Sequence, residues 1–589
     1  MSRYAAMFLS IFVLFSASAA VCAAKVEKAD CPIRFAVIGD RTGGAQPGIY
    51  EKIVAEVERL KPDFAITVGD AIEGYTQDTV SLNKQWKEYK DILAPLSMPV
   101  YFTPGNHDVG ADSATASTMR PVYERLVAKT YYSFDVKGVH FIILDTGIPE
   151  SSDKLPKEQL DWLASDLKKN QKASYTFVFF HKPFWHGTLA LGKPDTLHGL
   201  FRAYGVDAVF NGHEHNYFSG TYDGILYTAV GSSGGATDPG PTGLLYHFTW
   251  VTVDKKGISI APVKLGSVLP WGELTTTDLA VTDRIVRIGI DFPKPLGINE
   301  DLSVVDGEVI VKVSNPNPSQ ALQDTLRWTL TPGWSIEPSK AAVSVPSGQS
   351  AFVKFRAKNQ KKLYPVPKVA LRFPFSKGKT YGREDVLLVA RKAYAYRAAK
   401  PPALDGKLTD KIWQKPVTRF FAPDGGPAAI DSTSYYFAYD DKTLYLAARC
   451  VETKMDEMVA KVTARDGGLF GEDCAGFFFQ PDTAKGLVYQ IYINPLGAVF
   501  DQKITVDPDW QTASDPSWNG TYEVKTSKGA REWTLEAAIP LAQLGVTGKA
   551  GEAWRLNFRR KQKRLNTSGD WQVPISYDPR SFGRLVLVK

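Results

Sequence analysis

Five short apolar runs in the first half of the chain each stop at a residue able to hold a metal ion, and this recurrence limits the fold more than any other feature. Residues 34–38 run into Gly39-Asp40, residues 64–68 into Gly69-Asp70, and residues 100–103 into Pro104-Gly105-Asn106-His107-Asp108. Residues 175–180 run into His181, and residues 208–210 into Asn211-Gly212-His213-Glu214-His215. Runs of this length, rich in β-branched and aromatic residues and closed by Gly or Pro, predict buried strands. Open α/β sheets gather their sites at the carboxyl ends of such strands. Between the runs, Ile49, Ile53, Val57 and Leu60 share one helical face, as do Leu160, Leu163 and Leu167. The alternation predicts an α/β layered sandwich over residues 31–266. Its later part, through residues 227–230 and 245–248, carries turn glycines and predicts antiparallel strands completing a second sheet.

The residue types at these strand ends suit a hard cation. Asn106 offers a neutral oxygen beside anionic ones. His107 is placed to act as an acid, with Asp108 able to hold its tautomer. His213 and His215 fall on the same side of an extended segment. Taken alone, Asn106-His107-Asp108 also reads as a plain loop. The full order, Gly-Asp, Gly-Asp, Gly-Asn-His-Asp, His, Gly-His-x-His, resembles the calcineurin-like metallophosphoesterases over about the first half of the chain. The resemblance implies two divalent ions (Mn, Fe or Zn) and a phosphoester substrate. It makes Asp70 the bridge, Asn106, His181 and His213 ligands of one ion, and Asp40 and His215 ligands of the other. His107 matches the acid, and Arg41 is a candidate for holding a phosphate oxygen. Thr42 stands where the family's first motif, Asp-x-His, has an imidazole, so one ion is expected to bind weakly. Glu73 stands where purple acid phosphatases supply a tyrosine.

The N-terminus reads as a signal peptide, residues 1–24: Arg3, an apolar run, then Val21-Cys22-Ala23-Ala24. Export to the periplasm or outside is the expectation, with no membrane contact after cleavage. A net charge of +7 over 589 residues, without a Lys/Arg run, gives no case for nucleic acid. After Cys22 is removed, Cys31, Cys450 and Cys474 remain, the last two either paired or buried as thiols. Of the other histidines, His140 reads as a strand residue, His198 and His247 as structural or exposed, and His186 as a pocket-mouth or loop residue.

A stiff linker at Pro293-Lys294-Pro295 leads into a β-only stretch, residues 285–392, where Val309, Val311 and Val313 alternate with Ile310 and Lys312. It predicts an immunoglobulin-like spacer. Residues 398–589 begin Leu404-Asp405-Gly406 and continue through Glu472-Asp473-Cys474, Trp533-Thr534-Leu535-Glu536 and Phe582-Gly583. This order resembles the family 9 carbohydrate-binding modules, a β-sandwich. Sugars need flat aromatic faces in polar surroundings, so Trp510, Trp518 and Trp571 are candidates, with Phe470 standing where the family has a tryptophan. Trp413, Trp533 and Trp554 read as core. Ala475-Gly476 replaces an acidic residue usual in that family.

The fold class expected is therefore multidomain, an α/β layered sandwich followed by two β-sandwich domains. The function expected is an exported metal-dependent phosphoesterase, with a glycan as a further partner. The alternative is a carbohydrate-binding protein whose phosphoesterase domain has decayed. A glycosidase lacks the paired carboxylates it needs.

Overall fold

A computed structural model describes residues 32–237 and 240–589. The expected signal segment 1–24, and Cys31, lie outside the described residues. The chain divides into two compact units, Met1–Leu279 and Ala280–Lys589.

The first unit is built on two six-stranded sheets. In one, strands Ile33–Ile38, Phe64–Thr67 and Val100–Tyr101 pair in parallel. In the other, Val139–Ile143, Thr176–Phe179, Ala208–Asn211 and Ile225–Ala229 are parallel neighbours. Strands covered on both faces need unbroken apolar runs, which is what the sequence supplies. Phe35, Phe64, Phe141, Phe177 and Phe210 fill the space between the sheets. Helices Ile49–Leu60, Thr79–Leu93 and Ser113–Leu126 cover the outside of the first sheet. Helices Lys157–Lys169 and Thr196–Tyr204 cover the second. Helix Ile49–Leu60 buries Tyr50, Ile53, Val54 and Val57, each worth roughly 1.5–3 kcal/mol when fully removed from water. Leu60, expected on that face, is exposed.

Two expectations change here. Ile225–Ala229 is antiparallel to Phe218–Tyr222, as expected, but parallel to its other neighbour Ala208–Asn211, and His247–Asp254, antiparallel as expected, returns to the first sheet beside Ile33–Ile38. The late strands therefore complete both sheets. The unit also runs past residue 266, because Leu274 and Leu279 are buried in it.

The second unit starts with two four-stranded sheets over residues 290–386, one led by Glu308–Ser314 and Ser350–Asn359, the other by Leu322–Thr329 and Lys368–Ser376. A twelve-stranded sheet follows. Its two halves share one core: Phe437 and Leu446 from one half meet Phe477, Ile491 and Phe558 from the other, so the sheet folds back on itself. Lys392–Arg397, expected as the join between domains, is instead its middle strand. It pairs in parallel with Thr433–Tyr439 and Gly583–Val588. Cys450, in strand Thr443–Val451, and Cys474, in strand Cys474–Gln480, are free, buried thiols of the same sheet, and burial pushes them up to about 11 and about 12.

Candidate metal centre

The parallel strands deliver their terminal residues to one place. The Nε2 of His181 lies 3.0 Å from Asp70 Oδ2 and 3.2 Å from His213 Nδ1. One ligand-type atom from each of Asp70, His181 and His213 falls within 4.8 Å of the others. His181 Nδ1–H donates to the Val68 carbonyl at 2.8 Å, which turns Nε2 toward the cluster. Asp40 and His215 pair alongside, with His215 Nε2 at 3.2 Å from Asp40 Oδ2. The Arg41 and Thr42 amides donate to the Asp70 carbonyl, tying the first strand end to the second.

Two groups of backbone features hold this shape. Asp70, His213 and His215 sit at φ of 55°, 76° and 53°. Left-handed non-glycine residues cost free energy and concentrate at functional sites. Glycines let the strands close in: a Cβ on Gly105 would stand 2.2 Å from Asp70 Oδ1, and one on Gly212 would stand 2.3 Å from Asp40 Oδ1. The run Gly231-Ser232-Ser233-Gly234-Gly235 wraps the first strand end, with the amides of residues 233–235 donating to the Asp40 carbonyl. The sequence offered that run only as turn glycines.

The donor set fits a divalent cation. Asp40 Oδ1 and Asn106 Oδ1 are buried acceptor oxygens without a hydrogen-bond donor. A buried acceptor without a partner is costly unless something positive meets it. Asn106 gives its amide nitrogen to the Tyr75 hydroxyl, so its carbonyl oxygen is the atom left over. The cluster is electrostatically prepared as well. Burial works to raise Asp70, but the charges of His181 and His107 outweigh it and hold the carboxyl down at about 2. Burial works to lower His181, and Asp70 outweighs that, raising it to about 9. His213, half-buried and beside the His181 charge, falls to about 3. The cluster thus offers a carboxylate and a neutral imidazole at neutral pH. His181 carries a proton on the atom a cation would replace.

His107 is half-buried beside this group, and its backbone N–H donates to Asp70 Oδ1 at 3.0 Å. Its Nδ1 donates to the Glu73 carbonyl at 2.8 Å, so Nε2 is the atom available for chemistry. Asp108 does not orient it, contrary to the sequence expectation. Asp108 accepts from the amides of Gly105, Ala71 and Ile72 and braces the two loops. Its burial and the Asp70 charge push its carboxyl up to about 7. Arg41 also departs from expectation. Its guanidinium donates to the Ala71 carbonyl and to Glu88, each at 3.0 Å, so it is committed to loop and helix. Thr42 is fully buried, with its hydroxyl unpartnered.

Tyr75 is the site neighbour that sequence reasoning missed. Its ring lies 4.3 Å from that of His107, and its hydroxyl meets Asn106. The only hint was an aromatic residue after Gly74 in the loop following Asp70.

The sugar candidates divide. Trp571 is fully buried and stacks on Phe558 at 4.8 Å, so it is core. Trp510 is held at φ 64° with the guanidinium groups of Arg580 and Arg555 at 4.8 and 5.6 Å from its ring, so cations occupy the place of a sugar. Trp518 packs on Tyr489 at 5.2 Å. Phe470 is 43% exposed and borders a pocket with Lys561, Lys563 and Asn566. Glu472 and Asp473 turn inward, taking the amides of Lys461, Val462 and Val459.

Residues 33–217 match the family model of calcineurin-like phosphoesterases. Purple acid phosphatase 21 of Arabidopsis thaliana is 28% identical over 238 residues, 36% of this chain and 52% of that protein. Serine/threonine-protein phosphatase CPPED1 of Homo sapiens is 28% identical over 205 residues, 31% of this chain and 64% of that protein. The chain thus spans between half and two thirds of the length of these relatives. Over the C-terminal region, a solved family 9 carbohydrate-binding module from Caldicellulosiruptor kristjanssonii, in complex with glucose, is 14% identical with a TM-score of 0.24, covering 33% of this chain and 95% of that one.

Proposed function

Starting from a calcineurin-like phosphoesterase domain over residues 33–217, we propose that the protein is an exported hydrolase of phosphate mono- or diesters. The observation that carries this reading is the meeting of Asp70, His181 and His213 beside the donor-less oxygens of Asn106 and Asp40. Asp70, Asn106, His181 and His213 would hold one divalent ion, and Asp40 and His215, with Asp70 shared, a second. Bound there, such ions polarise phosphoryl oxygens and lower the pKa of water at the site. His107 serves as the acid: Nδ1 stays on the Glu73 carbonyl, and Nε2 gives its proton to the leaving oxygen. Tyr75 accepts from the Asn106 amide nitrogen, which leaves the Asn106 carbonyl oxygen as the atom that would meet a cation. With Thr42 in place of an imidazole, the ion at Asp40 and His215 is the weaker one. Manganese, iron and zinc are the metals to test.

Export rests on the signal-like N-terminus. No helix among the described residues is long and apolar enough to cross a membrane. A glycan-bearing substrate rests on Phe470 and the module around it.

Turnover of p-nitrophenyl phosphate and its bis-ester, assayed with added manganese, tests the reading. His107→Ala should lower kcat roughly 10²–10⁴-fold with metal content unchanged. A second reading, a carbohydrate-binding protein with a decayed phosphoesterase domain, is favoured by buried Thr42 alone. Failure to turn over either ester with any divalent metal would select it.

A further inference from the structure

A second pocket, within Ala280–Lys589, carries a charge pattern that neither the hydrolytic reading nor the Phe470 face accounts for. It encloses about 350 Å³. Its floor is the outward row of the strand Lys392–Arg397: Ala393 and Ala395 point into the core, which leaves Lys392, Tyr394 and Tyr396 facing the pocket. Its wall is the segment from Lys415 to Arg419.

Four cations therefore line this pocket, Arg391, Lys392, Lys415 and Arg419, against one carboxylate, Glu300. None of the four is ion-paired to a carboxylate among the described residues, whereas elsewhere in the unit Arg564, Arg465 and Arg383 each are. Arg391 is only 7% exposed. It is fixed by NH1 donating to the Arg419 carbonyl at 3.0 Å and to the Trp571 carbonyl, with its guanidinium 5.2 Å from the Trp571 ring. Burial pulls it down to about 10, which still leaves it a cation at neutral pH. An anchored guanidinium with no acid beside it is an electrostatic cost that an incoming anion would relieve. Lys415 Nζ stands 4.7 Å from the Tyr396 ring, which joins the charge to an aromatic face. Half-buried Tyr394, with no cation over its ring among the described residues, offers a second aromatic face to a ring with one apolar side. The volume suits one or two sugar units.

We propose that this pocket binds an anionic saccharide, its carboxylate, phosphate or sulfate group held by the cations and its ring resting on Tyr394. The site is separate from the metal centre and from Phe470, and it stands whether or not the protein hydrolyses phosphoesters.

Calorimetric titration of the full chain with digalacturonate, glucose 6-phosphate, glucose and inorganic phosphate tests this. Arg391 is embedded in the core, so exposed Lys392 and Lys415 are the residues to change. Digalacturonate and glucose 6-phosphate should bind and glucose should not, with affinity falling as salt is raised. The double variant Lys392→Gln/Lys415→Gln should weaken both by roughly tenfold or more, the loss of charged hydrogen bonds, with an unchanged unfolding temperature. Tyr394→Ala should weaken both, and Phe470→Ala should weaken neither. Digalacturonate carries no phosphoester, so its binding cannot arise from the hydrolytic site's substrate chemistry. The proposal is overturned if neither charged saccharide binds, if glucose binds as tightly, or if phosphate alone matches glucose 6-phosphate. It is also overturned if the double lysine variant binds like the parent.

Discussion

Two clusters of buried charge, one in each unit, look alike in composition and differ in what they leave unsatisfied. In the second unit, Glu452 takes Arg564 Nε at 2.8 Å, Gln562 Nε2 at 2.7 Å and the Lys454 amide at 3.1 Å. Asp431 takes Arg564, Gln562 and Thr453. The atoms left without partners there include Nε and NH2 of Arg560, which are donors. In the first unit the leftovers at the site include acceptor oxygens, on Asp40 and Asn106, and three of the candidate ligands, Asp70, His213 and His215, are left-handed. A cluster whose spare buried atoms are donors has no place for another positive charge, so the second cluster is structural. A site with spare oxygens and a strained backbone is read as a place where a cation belongs. The sign of the orphaned atom separates the two roles better than the number of buried charges does.

The largest effect should come from the first cluster. Asp70→Asn removes the carboxylate that both proposed ions share, and should cost at least about 10³-fold in kcat together with most of the bound metal. Elemental analysis beside the ester assay measures both. Retention of metal and turnover would erase the distinction between the clusters. Glu452→Ala should do the reverse. Leaving the largely buried guanidinium of Arg564 without its acid should destabilise the second unit by about 3–5 kcal/mol, read by denaturant unfolding, with kcat of the surviving folded protein unchanged. Asp40→Asn sharpens the comparison within the metal site: the tighter equivalent of metal should stay, and the weaker one should bind about tenfold less well, as followed by metal titration.

The smallest effect concerns a third buried charge, His140, held by Asp166 at 2.7 Å and Asp135 at 2.8 Å. Burial works to lower its pKa, the two hydrogen-bonded carboxylates outweigh it, and the net shift is upward. A base raised in the folded state lends stability below its unfolded pKa and loses it as pH rises through the folded value. The stability gap between parent and His140→Gln should therefore be wider at pH 5.5 than at pH 9, by thermal unfolding at each pH. An equal gap at both would mean that His140 is neutral and merely packed, as its sequence context suggests.

The strands and the residues at their ends were legible because parallel, doubly covered strands require continuous apolar runs, and a glycine beside Asp40, Asp70, Asn106 and His213 marks a tight strand end. Tyr75 was not legible, because its approach to His107 and Asn106 depends on left-handed turns at Gly74 and Tyr75 that the sequence does not spell out. Trp571 misled for a different reason. Its neighbours Asp570 and Gln572 are polar, yet both are buried, Asp570 ion-paired to Arg559 and Gln572 hydrogen-bonded to Asn557 and Val389, so the surroundings that suggested a loop are core. Trp510 is covered by Arg555 and Arg580, residues far along the chain, which local context cannot foresee. Arg41 failed for the same reason: adjacency to Asp40 says nothing of Glu88, which takes its guanidinium. Lys392–Arg397 is short and mixed in character, and only pairing on both sides makes it central.

The close fit of Gly105 against Asp70 and of Gly212 against Asp40 has a consequence for any survey of single substitutions. Ranked by lost turnover, these two positions should stand with the acids and imidazoles, although neither contributes an atom to the chemistry. Alanine, usually the mildest replacement, would be among the harshest there, because its methyl carbon would fall on a carboxylate oxygen.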